Sequence, residues 1–122
     1  MGEQSEPVRV ERVAHDGGVV LHVTGQVDSH TAPEVGEQLA VAFAGVVGNP
    51  RPVVVDLTGV DFLASVGLSL LVQYHLLGVR QGTPLRVVAP ARNPLRALRA
   101  TMLDQTLELY STVPEALAAT SS

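Results

Sequence analysis

The sequence predicts an α/β domain: a mostly parallel sheet of four or five strands, an antiparallel hairpin strand at its N-terminal side, and about four helices. Three observations predict it. Val53-Val54-Val55 is apolar at consecutive positions, as a central strand covered on both faces must be. After residue 25, short strand-like runs alternate with segments of helical period, the pattern of parallel strands joined by crossover helices. Two valine-rich runs also flank the turn His15-Asp16-Gly17-Gly18, which reads as a hairpin. At 122 residues the chain suits a single domain, 1–122 with its core over 7–118.

In chain order, Val8, Val10 and Val13 mark an opening strand, and Val19-Val20-Leu21-His22-Val23 returns antiparallel to it. Gly25 and Asp28-Ser29-His30-Thr31 break that strand, and Ser29 or Thr31 can cap a helix with Pro33 in its first turn. Val35, Leu39, Ala42 and Phe43 recur at helical spacing until Gly48-Asn49-Pro50. After the strand 53–55 comes a loop over 58–66. Then Leu68, Leu71, Val72, His75, Leu76 and Val79 follow a helical period without a miss, predicting a helix over 66–80 with that stripe in the core. His75, on the same face, reads as a packed core histidine. Gly82-Thr83-Pro84 is a turn and Leu85 to Val88 a strand; Asn93 to Met102 reads as a short helix, Leu107 to Tyr110 as a last strand, and Val113 to Leu117 as the start of a terminal helix. Thr120 to Ser122 are expected to fray.

The composition narrows the function classes. Hydrophobic residues make up 46% and aromatics 3%, so the core is built from Val, Leu and Ala, and stacking platforms for bases are lacking. A net charge of −4 argues against direct nucleic-acid contact. Residues 1–61 carry nine acids against three arginines, whereas residues 62–122 carry three acids against five. Arg92, Arg96 and Arg99 share one helix face, either solvated or a contact patch for an acidic partner. Without cysteine there is no thiol chemistry. The polar start, with Glu3, Glu6 and Arg9, is no signal peptide. The stretch Leu68 to Val79 is interrupted and too short for membrane insertion, so the expected location is cytoplasmic.

The catalytic chemistries fail one by one. Ser65-Val66-Gly67 is half of a nucleophile elbow, but Leu63 stands where the first glycine belongs, and His75 is the only later histidine. Asp56 at a strand end resembles a receiver-domain phospho-acceptor, yet the chain has no lysine to clamp the phosphoryl group. The four histidines lack metal-ligand spacing, and no glycine-rich nucleotide motif is present. Asp56 and Asp61 flank the loop, the first expected to order its backbone and the second to face water. No enzyme class and no cofactor is called for.

Ser65 remains. A serine at the mouth of a helix lies among free backbone N–H groups and the positive end of the helix dipole, where a phosphate can be held. Its plainer role is that of an N-cap, the oxygen accepting the amide of Gly67 or Leu68.

At these residues the chain resembles the STAS domains, the anti-sigma factor antagonists of bacteria. Val53 to Leu68 is similar to the family signature of an apolar strand, D-L-[ST]-x-V and F-[LM]-D-S-[SA]-G-L. Gly25-Gln26-Val27-Asp28 is similar to its G-[ED]-[LIV]-D. Ala64 stands where the pattern has an acid, and Val66 follows the serine. The resemblance implies a regulator of sigma-factor-dependent transcription that is not an enzyme. Unphosphorylated, it would bind an anti-sigma factor with a histidine-kinase-like ATPase fold. That kinase would phosphorylate Ser65 and release it, and a serine phosphatase would reset it. Asp28, Ser29, Thr31, Asp61, Phe62, Ala64, Ser65, Val66 and Gly67 would form the binding rim, and Thr58 is a weaker acceptor. The other reading of the same resemblance is an unphosphorylated scaffold subunit, for example of a lipid ABC transporter.

Overall fold

The computed structural model describes residues 8–89 and 93–119. Its elements are β1 (Arg9–His15), β2 (Gly18–Val27), α1 (Ala32–Gly45), β3 (Val53–Leu63), α2 (Ser65–Gln81), β4 (Leu85–Val88), α3 (Asn93–Ala100), β5 (Glu108–Tyr110) and α4 (Val113–Ala118), with one 3-10 turn at Leu103–Gln105. The five strands lie side by side in chain order, β1 antiparallel to β2 and the remaining pairs parallel. The α/β class and element order therefore stand as the sequence predicts. Pro90, Arg92, and the end at Thr120 to Ser122 lie outside the described residues.

Strand alternation sorts the core. Leu21, Val23, Val53, Val55, Leu85 and Val87 point to one face, where α1, α2 and α3 cover them in the main core. Val20, Val54 and Val88 point to the other, where Ala116 of α4 meets them. The double-sided valine run thus belongs to a strand covered on both faces. Arg86 also points toward α4 and is 2% exposed. Its Nε donates to Glu108 Oε1 at 3.2 Å, and Nη1 donates to the Ala116 carbonyl at 2.8 Å. A cation on carbonyls in the last turn of α4 satisfies groups that the helix leaves unpaired. At the other end, Thr112 Oγ1 accepts the Glu115 amide while Glu115 Oε1 accepts that of Ser111.

Two expectations about the site's scaffold are corrected. The segment 58–66 is not a loop: β3 runs on to Leu63, paired with β2 through Val27↔Leu63. Two register shifts along this stretch give β3 extra residues relative to β2, so the pair bends without separating. Nor does Gly25 break β2; it lies within the strand at φ 103°, a backbone region that only glycine adopts without strain. Beyond Asp56↔Val88, β4 no longer accompanies β3. Polar residues can therefore continue the strand with one edge open.

Candidate functional site

Parallel strands collect chemistry beyond their carboxyl ends, and here β2 and β3 end together. Asp28 follows Val27, and Ala64 and Ser65 follow Leu63, so the final register pair sets both turns on one rim. The Ala64 amide donates to the Val27 carbonyl at 2.9 Å, tying the start of α2 to the end of β2.

On the β2 side, Asp28 organises the turn into α1. Its Oδ1 accepts the amides of His30 at 2.9 Å and Thr31 at 3.1 Å. The Thr31 hydroxyl accepts the Asp28 amide at 2.9 Å and donates to the Gln26 carbonyl at 2.7 Å. Thr31 occupies the N-cap position as expected, but its hydroxyl points back into the turn and does not cap. The Thr31 amide, against some burial and helped by the His30 amide, holds the Asp28 carboxyl below its usual range. Asp28 is an anion at neutral pH, half-buried at the rim; Ser29 beside it is exposed.

On the β3 side, the capping role assigned to Ser65 is overturned. Ala64, with extended backbone and no side-chain cap, is the N-cap, and Ser65 is the first helical residue. The Ala64 carbonyl takes the amides of Gly67 and Leu68, at 2.9 and 3.2 Å. That leaves the amides of Ser65 and Val66 and the Ser65 hydroxyl without a partner among the described residues. Ser65 is exposed and flanked by apolar surface, Phe62 at 48% and Val66 at 36% exposure. Asp61 is exposed as expected, and its carbonyl accepts Asn93 Nδ2 at 3.0 Å. Gly67 is buried against Leu63 and Val27, which fixes how closely α2 approaches the strand ends.

Below the rim, Asp56 does order the backbone, as expected, through Oδ1, which accepts the Thr58 amide at 3.0 Å and the Thr58 hydroxyl. Thr58 is thereby engaged as a donor. Sequence reasoning missed the second partner, His22 Nδ1, 2.8 Å from Asp56 Oδ2. The only available signal was a histidine in an otherwise apolar strand. Burial acts to raise the Asp56 pKa, but the Thr58 hydroxyl and amide, with His22, outweigh it and leave the carboxyl lower than normal. A depressed folded-state pKa stabilises above the unfolded value of about 3.9 and loses that contribution as pH falls through the folded value. Asp56→Asn is therefore expected to cost about 1–2 kcal/mol at pH 7, a loss that shrinks as pH falls through the folded-state value. Urea titrations at pH 7 and at successively lower pH check this; a loss that stays the same down the whole acid range would exclude the charged network as the cause.

The stripe on α2 is a further correction. Gly67, Leu68, Leu71 and Gly78 are its buried residues, whereas Leu76 and Val79 are exposed and His75 is partly exposed, outside the core. Among the described residues no cluster of three or more His, Cys, Asp or Glu could hold a metal ion, and no helix is long and apolar enough to cross a membrane.

This is the architecture of a small α/β domain with a helix start at its rim. Residues 9–116 match the family model of the STAS domain, and the chain belongs to that family. It is 33% identical over 112 residues to anti-sigma-F factor antagonist RsfB of Mycobacterium tuberculosis, covering 92% of this chain and 88% of that protein. The crystal structure of an anti-sigma factor antagonist from Mycobacterium paratuberculosis superposes with a TM-score of 0.79 at 32% identity, over 93% of this chain and 96% of that one. The antagonist SpoIIAA in its unphosphorylated form shares the fold at a TM-score of 0.65 and 14% identity, over 88% and 91%.

Proposed function

We propose that this chain is a cytoplasmic anti-sigma factor antagonist that works by partner switching. In this reading the unphosphorylated rim, with Asp28, Ser29, Thr31 and Asp61 to Gly67, binds an anti-sigma factor of histidine-kinase-like ATPase fold and so frees a sigma factor. The bound kinase then phosphorylates Ser65, the complex separates, and a serine phosphatase restores the binding form. The chain supplies a surface and an acceptor hydroxyl; the kinase and phosphatase supply the catalysis.

One observation carries the reading. The Ser65 hydroxyl is exposed and unbonded at the first position of α2, beside two unpartnered amides. A kinase can reach it without unfolding anything, and the resulting phosphate meets free N–H donors and the helix dipole. Family membership and the 33% identity to RsfB support the partner class. Ala64 in place of an acid leaves the acceptor itself intact.

Incubation with ATP and the cognate kinase is expected to add one phosphate, mapped by mass spectrometry to Ser65, and none to Ser65→Ala. Modification at Thr58 in place of Ser65 would contradict the assignment. Co-purification with a transporter ATPase, Ser65 remaining unmodified, would favour the scaffold role.

A further inference from the structure

β3 is irregular just before the rim. Gly25 pairs with Val60 and Gln26 with Phe62, so Asp61 is an extra residue with no register partner on β2. On the other side β4 has already left, its last pair with β3 being Asp56↔Val88. A bulged residue of this kind re-aims the side chains that follow it. Val60 and Leu63 are buried, whereas Asp61 and Phe62 between them are both exposed. Strict alternation would put Phe62 on the side of Val60 and turn Leu63 away from both. The extra residue therefore sends Phe62 outward, returns Leu63 to the core, and sets where Ala64 and Ser65 begin α2.

One side chain reaches this bulge from outside the β2–β3 pair. Asn93 Nδ2 donates to the Asp61 carbonyl at 3.0 Å, across 32 residues of sequence. Asn93 is the first residue of α3, and the buried Pro94 and Leu98 fix that helix to the body of the domain. A packed helix thus gives the unpaired residue a donor that neither neighbouring strand register supplies. The Ala64 amide on the Val27 carbonyl, at 2.9 Å, ties down the other end of the same short stretch. Asn93 is exposed, and a hydrogen bond within reach of water adds little to global stability. What it decides is which local arrangement the bulge takes.

We propose that Asn93 is a positioning residue of the rim: by pinning the bulge at Asp61 it fixes the outward aim of Phe62 and the placement of Ser65 that a partner meets. The consequence for the partner rests on the reading of Ser65 as the phospho-acceptor of an anti-sigma factor kinase; the pinning of the bulge does not. Without the pin, the bound kinase has to impose the geometry itself, at a cost in affinity.

Two substitutions in the full chain separate positioning from stability and from charge. Asn93→Ala removes the donor. Asn93→Asp also removes it, but keeps the side chain's size and sets a carboxylate at the start of α3, where the helix dipole favours one and offsets the loss to the fold. The first arm needs no partner. By ¹⁵N-resolved NMR both variants should shift the amides of Phe62, Ala64 and Ser65. In Asn93→Asp the Ala64 amide should exchange with solvent about fivefold faster, as the loss of one ordinary hydrogen bond permits, while those of Val54 and Val55 in the central strand exchange no faster. In the second arm the kinase receives the chain as substrate. Its KM should rise about fivefold for both variants with kcat unchanged, the pattern of lost docking. Unchanged Ala64 exchange in Asn93→Asp would overturn the proposal, and so would a rise shared equally by Val54 and Val55, which is a merely structural effect. A KM raised by Asn93→Asp alone would also overturn it, because the added charge would then be the cause. If the unmodified chain is not phosphorylated, the reading of Ser65 fails, and the first arm still decides whether Asn93 pins the bulge.

Discussion

Gly78→Ala is expected to destabilise the chain by about 3 kcal/mol, although alanine ordinarily improves a helix interior by about 1 kcal/mol over glycine. The Cβ would fall on the backbone carbonyl oxygen of Thr83, too close for any atom pair, with Phe43 Cε2 only 3.4 Å away. Neither neighbour can retreat. Thr83 is fully buried, and its amide and that of Gly82 both donate to the Gly78 carbonyl, at 2.9 and 2.8 Å. Phe43 is a core side chain packed on Tyr74. Relief therefore requires α2 to slide away from the turn into β4. Urea denaturation would show a lower midpoint with an unchanged slope. A midpoint equal to or above that of the unmodified chain would mean that α2 does not pack on this turn as described. Gly67→Ala should cost less, because the atoms it meets, Leu63 Cδ1 at 2.5 Å and Val27 Cγ1 at 2.8 Å, are side-chain tips. The two glycines seat opposite ends of α2, and the position of Ser65 depends on both.

The order of elements was legible because alternating runs report topology without reference to distant contacts. The continuous valine run gave the central strand, and one turn gave the hairpin. What failed was phase. β3 reads as ending near Asp56 because Thr58, Gly59 and Asp61 interrupt the apolar run, yet its outer half pairs only with β2 and tolerates exposed polar residues. That extension moves the helix start: Leu63 ends the strand, Ala64 becomes the cap, and Ser65 enters the helix. Periodicity also could not orient α2, whose sequence is apolar on more than one face. The discriminating signal was the pair of small residues, Gly67 and Gly78, eleven apart on the face that packs closest. The rim residues were nameable through the family motif. His22 with Asp56, and Arg86 with Ala116, are contacts across 34 and 30 residues that exist only once register is set.

Phosphorylation of Ser65 is expected to lower affinity for the anti-sigma factor more than about a hundredfold, with Ser65→Glu reproducing part of the loss and Ser65→Ala binding as the unmodified chain does. The fold should scarcely notice. Two unpartnered amides and the positive end of α2 receive the new charge, a local gain of about 0.3–1 kcal/mol. The cost falls on the complex. Asp28 is already held ionised by the Thr31 and His30 amides, and Asp61 is exposed on the neighbouring strand end. A group bearing about −1.5 to −2 charges would then be enclosed among like charges and stripped of water. Burying an uncompensated charge costs several kcal/mol, and about 2.7 kcal/mol already amounts to a hundredfold in affinity. Two measurements separate this account from a conformational switch. Calorimetric binding should recover in part at high salt, where longer-range repulsion is screened. Thermal unfolding of phosphorylated and unmodified chains should differ by no more than about 3–4 °C. A drop well beyond that, with binding lost equally at all salt concentrations, would place the switch in the fold of α2 and not in the charge at its start.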